Sequence, residues 1–273
     1  YCIDHKKMLE ALIFIACVKG DEELLRKTIG TNAANIDMLI VDYSPLMLAC
    51  YLGHDSIVQQ LIAAKVNVNA TNSDGCTALM SVCSYGKDMS NLGENMFTLD
   101  FTNYSDNLEA GIALYSSDGH ERIAEQLIAA GADINASCNR GDTALMNACE
   151  NGHEGIVEQL IAAGVDVNAT NPYDETVLIA ACDEGHLDTV KALIAANADI
   201  NASGTDNRGK TALMYACAQG YDSIVEMLIP ANADTNVTDN TGKTALMYAC
   251  EEGCDSIVAV SYTHLTLPTT WLV

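Results

Sequence analysis

Cysteine is the residue type in this chain that most readily suggests chemistry, since eleven cysteines among 273 residues would suffice for several disulfides or metal sites. Seven of them recur at about one regular interval: Cys17, Cys50, Cys83, Cys149, Cys182, Cys217 and Cys250. On packed helices such neighbours lie about 8–10 Å apart, whereas a disulfide needs Cα atoms within about 7 Å. The pattern therefore predicts a ladder of buried core thiols, and so many free thiols favour a reducing, cytoplasmic compartment.

A second candidate for chemistry is the segment from Gly204 to Thr211, which matches the phosphate-loop pattern G-x-x-x-x-G-K-T. That motif needs a buried strand before it, but the preceding Ala198–Ser203 is polar. Gly-Lys-Thr also occurs at Gly242–Thr244 without the first glycine. The segment is therefore predicted to be a turn, and a nucleotide-binding enzyme is a hypothesis that rests on these eight residues alone.

Histidines and catalytic signatures offer no stronger site. Four histidines follow a glycine at repeat spacing, so they cannot converge on one metal ion: His54, His120, His153 and His186. No G-x-S-x-G or H-E-x-x-H signature occurs in the sequence. We therefore predict no catalytic residue, no metal, no cofactor and no enzymatic activity.

The elements that carry these residues are clearest between Gly141 and Ala169. Thr143 is suited to cap a helix that continues with apolar residues at helical spacing. Gly152 breaks that helix, and a second apolar helical pattern runs from Ile156 to Ile161. The segment predicts two short helices in a hairpin, too small to enclose a core without stacking on further copies.

Copies of this hairpin occur along most of the chain. The first helix is predicted to start at Ser44, Thr77, Ala110, Thr143, Thr176, Thr211 and Thr244. The interval is 33 residues, except for 35 between Thr176 and Thr211. The residues alone therefore predict an all-α stack of helix–turn–helix units.

A 33-residue period with T-x-L-x-x-A and Gly-His resembles the ankyrin repeat over residues 8–258. The resemblance implies an ankyrin-repeat solenoid with short hairpin-like turns, a concave surface and a role in binding proteins. Methionine at Met47, Met80 and Met146 stands where T-P-L-H has histidine, so apolar packing is expected to replace a local hydrogen bond.

The repeat pattern predicts the domain organisation. Residues 1–40 form a degenerate N-terminal ankyrin-like repeat, and 41–258 form the main array, in which the last repeat is truncated. Residues 259–273 share no pattern with the repeats and resemble translated sequencing-adapter sequence, so this tail is left out of the functional interpretation. The chain begins at Tyr1 and is expected to be a fragment of a longer protein.

Residues 87–119 interrupt the pattern and leave two alternatives open. One is an insertion, since Gly86 joined to His120 would complete a regular unit. The other is a decayed repeat, with Leu108–Ser117 as its inner helix and Met89, Leu92 and Met96 on its outer helix. The interval from Gly86 to Gly119 is one full period of 33 residues, which favours the decayed repeat.

Charge limits the classes of partner. The net charge of −24 repels phosphate backbones and anionic lipids, so nucleic acid and membrane binding are not expected. No apolar run approaches the roughly 18 residues of a membrane span. We expect a monomer that binds another protein with a basic or neutral face.

The ankyrin resemblance implies that partners contact the turn tips and the ends of the inner helices. The matching residues here are Tyr43, Tyr51, Asp74, Tyr85, Arg140, Asp142, Glu150, Tyr173, Glu175, Asp183, Glu184, Arg208, Lys210, Glu251 and Glu252. Two functions stay open: an independent interaction module or scaffold, and the regulatory ankyrin array of a larger enzyme or channel.

Overall fold

The computed structural model describes residues 5–30, 36–39, 42–85, 117–204 and 209–253. Thirteen helices and no strand occur within these ranges. The only β-type pairing among them consists of isolated antiparallel bridges in turns. The all-α class predicted from the sequence is confirmed.

The chain divides into two compact units, residues 1–147 and 148–273. The first unit contains α1 (His5–Lys19), α2 (Glu22–Ile29), α3 (Pro45–Tyr51), α4 (Asp55–Ala63), α5 (Ala78–Cys83) and α6 (Ser117–Ala129). Helix α7 (Ala144–Glu150) crosses the boundary. The second unit contains α8 (Glu154–Ala162), α9 (Val177–Glu184), α10 (Leu187–Ala195), α11 (Ala212–Gln219), α12 (Asp222–Leu228) and α13 (Ala245–Glu251).

Helices pack as hairpins in successive layers within each unit. In the first unit α1, α3 and α5 contact one another in sequence as inner helices, and α2, α4 and α6 do the same as outer helices. In the second unit α9, α11 and α13 form the inner set, and α8, α10 and α12 form the outer set. Each unit is thus a stack of helical hairpins whose apolar faces are buried between layers.

Side-chain caps explain why each inner helix starts where it does. The Oγ1 of Thr143 accepts a hydrogen bond from the backbone N–H of Met146 at 3.2 Å. Thr176 caps α9 in the same way through Ile179, also at 3.2 Å. Such a cap contributes about 1 kcal/mol to helix stability. The cap predicted at Thr143 is confirmed, and its repetition fixes the start of each inner helix.

A left-handed glycine and a close ring contact end the inner helices. Gly152 and Gly185 have φ values of 68° and 81°. A Cβ atom at Gly152 would lie 2.5 Å from the imidazole of His186, and one at Gly185 would lie 2.6 Å from the ring of Tyr221. Only glycine satisfies both the backbone conformation and this approach. The predicted break at Gly152 is therefore a tight helix–helix turn.

Six of the seven ladder cysteines lie in the core. Cys17, Cys50, Cys83, Cys149, Cys182 and Cys217 are buried. Burial raises the pKa of the Cys17 thiol to about 12 and also raises the pKa of Cys50. The prediction was wrong for Cys250, which is exposed, because no described helix covers the far side of α13.

The repeat that starts at Thr77 is built from two separated parts of the sequence. Its inner helix is α5, and α6 packs directly against both α5 and α4. The Nε2 atom of His120 lies 3.0 Å from the carbonyl oxygen of Tyr51 across 69 residues, whereas the matching bond from His54 spans 36 residues. The difference is 33 residues, one period, which favours an insertion between α5 and α6.

Both helices of the alternative decayed repeat fall almost entirely on positions outside the described residues. Its inner helix, 108–117, overlaps the described chain only at Ser117, which begins α6. Its outer-helix positions Met89, Leu92 and Met96 lie in the undescribed segment 86–116.

Candidate protein-binding surface

The fifteen candidate contact residues fall into two structural groups. One group lies in the hairpin turns before the inner helices: Tyr43, Asp74, Arg140, Asp142, Tyr173, Glu175, Arg208 and Lys210. The other lies at or after the ends of the inner helices: Tyr51, Tyr85, Glu150, Asp183, Glu184, Glu251 and Glu252. Arg208 lies outside the described residues.

Asparagine or aspartate side chains give the hairpin turns a fixed shape. The Oδ1 of Asn171 accepts the backbone N–H groups of Tyr173 and Glu175 at 3.0 and 3.1 Å. The Oδ1 of Asn72 does the same for Asp74 and Cys76. These turns hold their own backbone, and Tyr173 stays 63% exposed at its tip. Sequence reasoning missed this role, although an Asx residue three to five positions before each cap is a usable signal.

The turns of the first unit bring four predicted residues into one cluster. Arg140 pairs with Asp142 at 3.2 Å, and its side chain is 81% exposed. The carbonyl oxygen of Asp74 accepts the backbone N–H of Asn139 at 2.8 Å, which ties two neighbouring turns together. Burial raises the pKa of Tyr43, and the nearby Cys76, Asp42 and Asp74 add to that rise.

The ends of the inner helices in the second unit carry a continuous group of carboxylates. The carbonyl oxygen of Glu150 accepts a hydrogen bond from His186 at 3.1 Å, and the Nε2 of Gln219 donates to Asp183 at 2.9 Å. Lys243 pairs with Glu251 at 2.7 Å. Since α9, α11 and α13 are successive neighbours, these ends line one edge of the unit. We call this set the acidic row: Glu150, Asp183, Glu184, Glu251 and Glu252.

Lys210 is buried, although the sequence pattern placed it among the partner contacts. Only 7% of the residue is exposed. Its Nζ lies 5.0 Å from the ring centroid of Tyr215 and 4.3 Å from that of Tyr248. The hydroxyl of Tyr248 donates to Asp239 at 2.6 Å, and this bond, with further hydrogen bonds from Lys243 and Thr241, lowers the pKa of Asp239. Lys210 stabilises the stack and is therefore left out of the proposed surface.

Tyr85 is also partly used by the fold. Its ring stacks on the imidazole of His120 with a centroid distance of 3.8 Å and an interplanar angle of 12°. Burial raises the pKa of its hydroxyl. One face of the ring is thus covered, and the half-buried Tyr51 contributes its carbonyl oxygen to the same His120.

The segment that matched the phosphate-loop pattern closes as a hairpin turn. The backbone N–H of Gly204 donates to the carbonyl of Lys210, and Ser203 forms an isolated bridge with Thr211. The lysine ammonium lies against two tyrosine rings instead of facing a phosphate-sized space formed by a loop. The arrangement around Lys210 suits packing between repeats.

Two further searches cover only part of the chain. Among the positions that the structure describes, no group of three or more histidine, cysteine or acidic side chains is arranged to hold a metal ion. Over the same positions, every helix is too short or too polar to cross a lipid bilayer.

Comparison with known families now identifies the class. The family model for ankyrin repeats matches residues 13–92, 112–204 and 201–260, in three copies. These matches cover most of the sequence, so the chain belongs to the ankyrin-repeat family. Ankyrin repeats are generally protein–protein interaction modules and a non-catalytic fold. The matched ranges leave 93–111 uncovered, inside the segment between α5 and α6.

A comparison with curated proteins found no match to this chain.

Proposed function

We propose that this chain binds another protein through the acidic row and the adjoining hairpin tips. The observation that carries the proposal is the side-chain hydrogen bond between Gln219 and Asp183, which joins the ends of two successive inner helices. It places the carboxylates on neighbouring layers beside one another, so a partner that spans two layers meets several of them at once.

The charge of this edge determines what kind of partner fits. Glu150, Glu184, Glu251 and Glu252 are exposed, so water and salt screen their mutual repulsion in the free protein. A protein with a basic face would relieve that repulsion when it docks, and a neutral face would be tolerated. Nucleic acids and anionic membrane surfaces would be repelled by a chain of net charge −24.

The hairpin tips supply the less charged part of the proposed surface. Tyr173 is rigidly presented and largely exposed, which suits an aromatic anchor at an interface. In the first unit, Tyr43, Asp74, Arg140 and Asp142 form a separate polar cluster that offers a second contact area.

The same charge and cysteine content support two further parts of the proposal. Copies of so acidic a chain repel one another, which favours a monomer. The buried ladder cysteines are free thiols, which favours a reducing, cytoplasmic compartment.

A zero-length carbodiimide cross-linker tests the proposal, because it joins a carboxylate to a lysine amine only where the two touch. The intact chain would be incubated with a cell extract, cross-linked and digested, and the linked peptides identified by mass spectrometry. We expect links from Glu150, Asp183 or Glu184 to lysines of one reproducible protein. The row variant carries Glu150→Gln, Asp183→Asn and Glu184→Gln and should lose that protein.

A matched control carries the same change in charge elsewhere. Glu154→Gln, Glu158→Gln and Glu226→Gln remove three exposed carboxylates from outer helices of the same unit. This control should capture the protein as the original chain does. Equal losses in both variants would show that only overall charge matters, and capture by the row variant at the original level would reject the acidic row.

A further inference from the structure

Cys76 and Cys138 lie outside the cysteine ladder, in neighbouring hairpin turns of the first unit. Cys76 directly precedes the cap Thr77, where the other described repeats have charged residues: Asp142, Glu175, Lys210 and Lys243. Cys138 lies five residues before the cap Thr143, where other repeats have Asn72, Asn171 and Asp239. Both positions are polar elsewhere in the chain, and both are thiols only here.

Cys138 replaces a side chain that stabilises its own turn. Asn171 accepts two backbone N–H groups, and Asp239 accepts those of Thr241 and Lys243 at 2.8 and 2.9 Å. Cys138 keeps the same backbone turn, with Gly141 donating to its carbonyl at 2.8 Å. Its sulfur has only a long contact, 3.8 Å, to Asp142. The thiol at this position is therefore not explained by the stability of its turn.

The backbone brings the two cysteines together. Asn139, next to Cys138, donates its backbone N–H to Asp74 at 2.8 Å and its side-chain amide to the carbonyl of Ser73 at 2.9 Å. The Cys76 and Cys138 side chains are in hydrogen-bond contact.

The second unit shows independently that these two register positions face each other. There the corresponding residues are Lys210 and Asp239. Lys210 lies over the ring of Tyr248, with its Nζ 4.3 Å from the centroid, and Asp239 accepts that tyrosine's hydroxyl at 2.6 Å. Two residues that contact one ring occupy the same small space, and the first unit fills that space with two thiols.

We propose that Cys76 and Cys138 form a redox modification site, which a hydroperoxide converts into an intramolecular disulfide. The half-exposed Cys76 attacks the peroxide as a thiolate, its sulfur is oxidised to a sulfenic acid, and the O–O bond breaks to release hydroxide or an alkoxide. The buried Cys138 then attacks that sulfur, the S–O bond breaks, and water leaves. Two thiols are oxidised by two electrons, and the hydroperoxide is reduced to water, or to an alcohol and water.

The environment sets how fast this reaction runs. Burial, followed by Cys138 and Asp74, raises the pKa of the Cys76 thiol to about 11, and Arg140 opposes that rise. Since the thiolate is the attacking form, disulfide formation should accelerate roughly tenfold per pH unit between about pH 7 and pH 9. The charged and titratable groups that face Cys76 are Tyr43, Asp74, Cys138, Arg140 and Asp142.

The test uses the intact chain, hydrogen peroxide and an alkylating quench. Trypsin releases residues 66–87, with Cys76 and Cys83, and residues 123–140, with Cys138. We expect these peptides to be linked with the loss of two hydrogens, and the link to vanish after reduction. Oxidation should also raise the melting temperature by roughly 5–10 °C, because the disulfide restricts the unfolded chain.

Three variants keep the outcome unambiguous. Cys76→Ser should abolish the link, which excludes the buried Cys83 as the partner of Cys138. Cys138→Asn restores the side chain found in the other turns, so it should fold and lose both the link and the gain in melting temperature. Cys250→Ser removes an exposed thiol of the second unit and should leave the link unchanged. Oxidation of Cys76 to a sulfinic acid without the link, or links only between molecules, would overturn the proposal.

This inference does not depend on partner binding.

Discussion

His120 donates or accepts a hydrogen bond to the carbonyl oxygen of Tyr51 at 3.0 Å, although 69 residues separate them in the sequence. In the second unit His186 and the carbonyl of Glu150 make the same bond across 36 residues. A second pair repeats the offset, since the Oδ1 of Asn69 accepts from Asp133 across 64 residues and that of Asn168 accepts from Asp199 across 31. One period of sequence therefore adds no layer to the stack at this point.

Deletion of residues 87–119 should leave a folded chain, because it joins Gly86 to His120 and preserves the contacts of α6 with α4 and α5. Urea unfolding followed by circular dichroism would measure the change. We expect the dependence of the unfolding free energy on urea to stay nearly constant, since little buried surface is lost.

A control deletion of 144–176 removes one complete repeat of equal length. It should lower that urea dependence clearly, because a whole buried layer disappears. If the two deletions behave alike, or if the first abolishes cooperative unfolding, then 87–119 contributes a structural layer and the insertion alternative is wrong.

Lys210→Ala should destabilise the second unit by about 1–2 kcal/mol. The substitution removes a buried ammonium that lies against the rings of Tyr215 and Tyr248. Thermal unfolding would measure the loss, with the exposed Lys191→Ala as the control. Equal stability of the two variants would show that the contacts of Lys210 contribute nothing to the fold.

Asp239 should make the second unit sensitive to acid. Hydrogen bonds, chiefly that from Tyr248, lower the pKa of Asp239 in the folded protein. A carboxylate with a lowered folded pKa contributes stability above its unfolded pKa, about 3.9, and this contribution is lost as the pH falls towards the folded pKa. Asp239→Asn should therefore flatten the decrease in stability below about pH 4.

Chemical unfolding between about pH 2 and pH 7 would measure that slope. Glu226→Gln, on an exposed outer helix, is the control and should keep the acid sensitivity of the original chain. An unchanged slope in Asp239→Asn would show that other carboxylates account for acid sensitivity.

The sequence predicted most of the fold because each repeat carries its own local signals. The cap at Thr143 and the turn at Gly152 depend on residues within a few positions, so the pattern alone located them. The insertion between α5 and α6 was the less favoured alternative, because a length of one period imitates a repeat.

Contacts between repeats were harder to predict. The burial of Lys210 depends on Tyr248, which belongs to the next repeat, and the proximity of Cys76 and Cys138 depends on the register of two turns. A pattern within one repeat does not show which side chain of the neighbour fills the space. The acidic row, in contrast, follows directly from the position of carboxylates at each inner-helix end.

The association rate of a partner identified by carbodiimide cross-linking is the most direct test of the proposed binding surface. Stopped-flow fluorescence would measure this rate for the original chain, the row variant and the outer-helix control over a range of salt concentrations. We predict that the rate for the original chain and the control falls roughly tenfold as salt rises from about 50 to 300 mM, because steering is screened. The row variant should associate slowly at low salt with little salt dependence. Equal rates for all three proteins at every salt concentration would contradict the acidic row as the recognition surface.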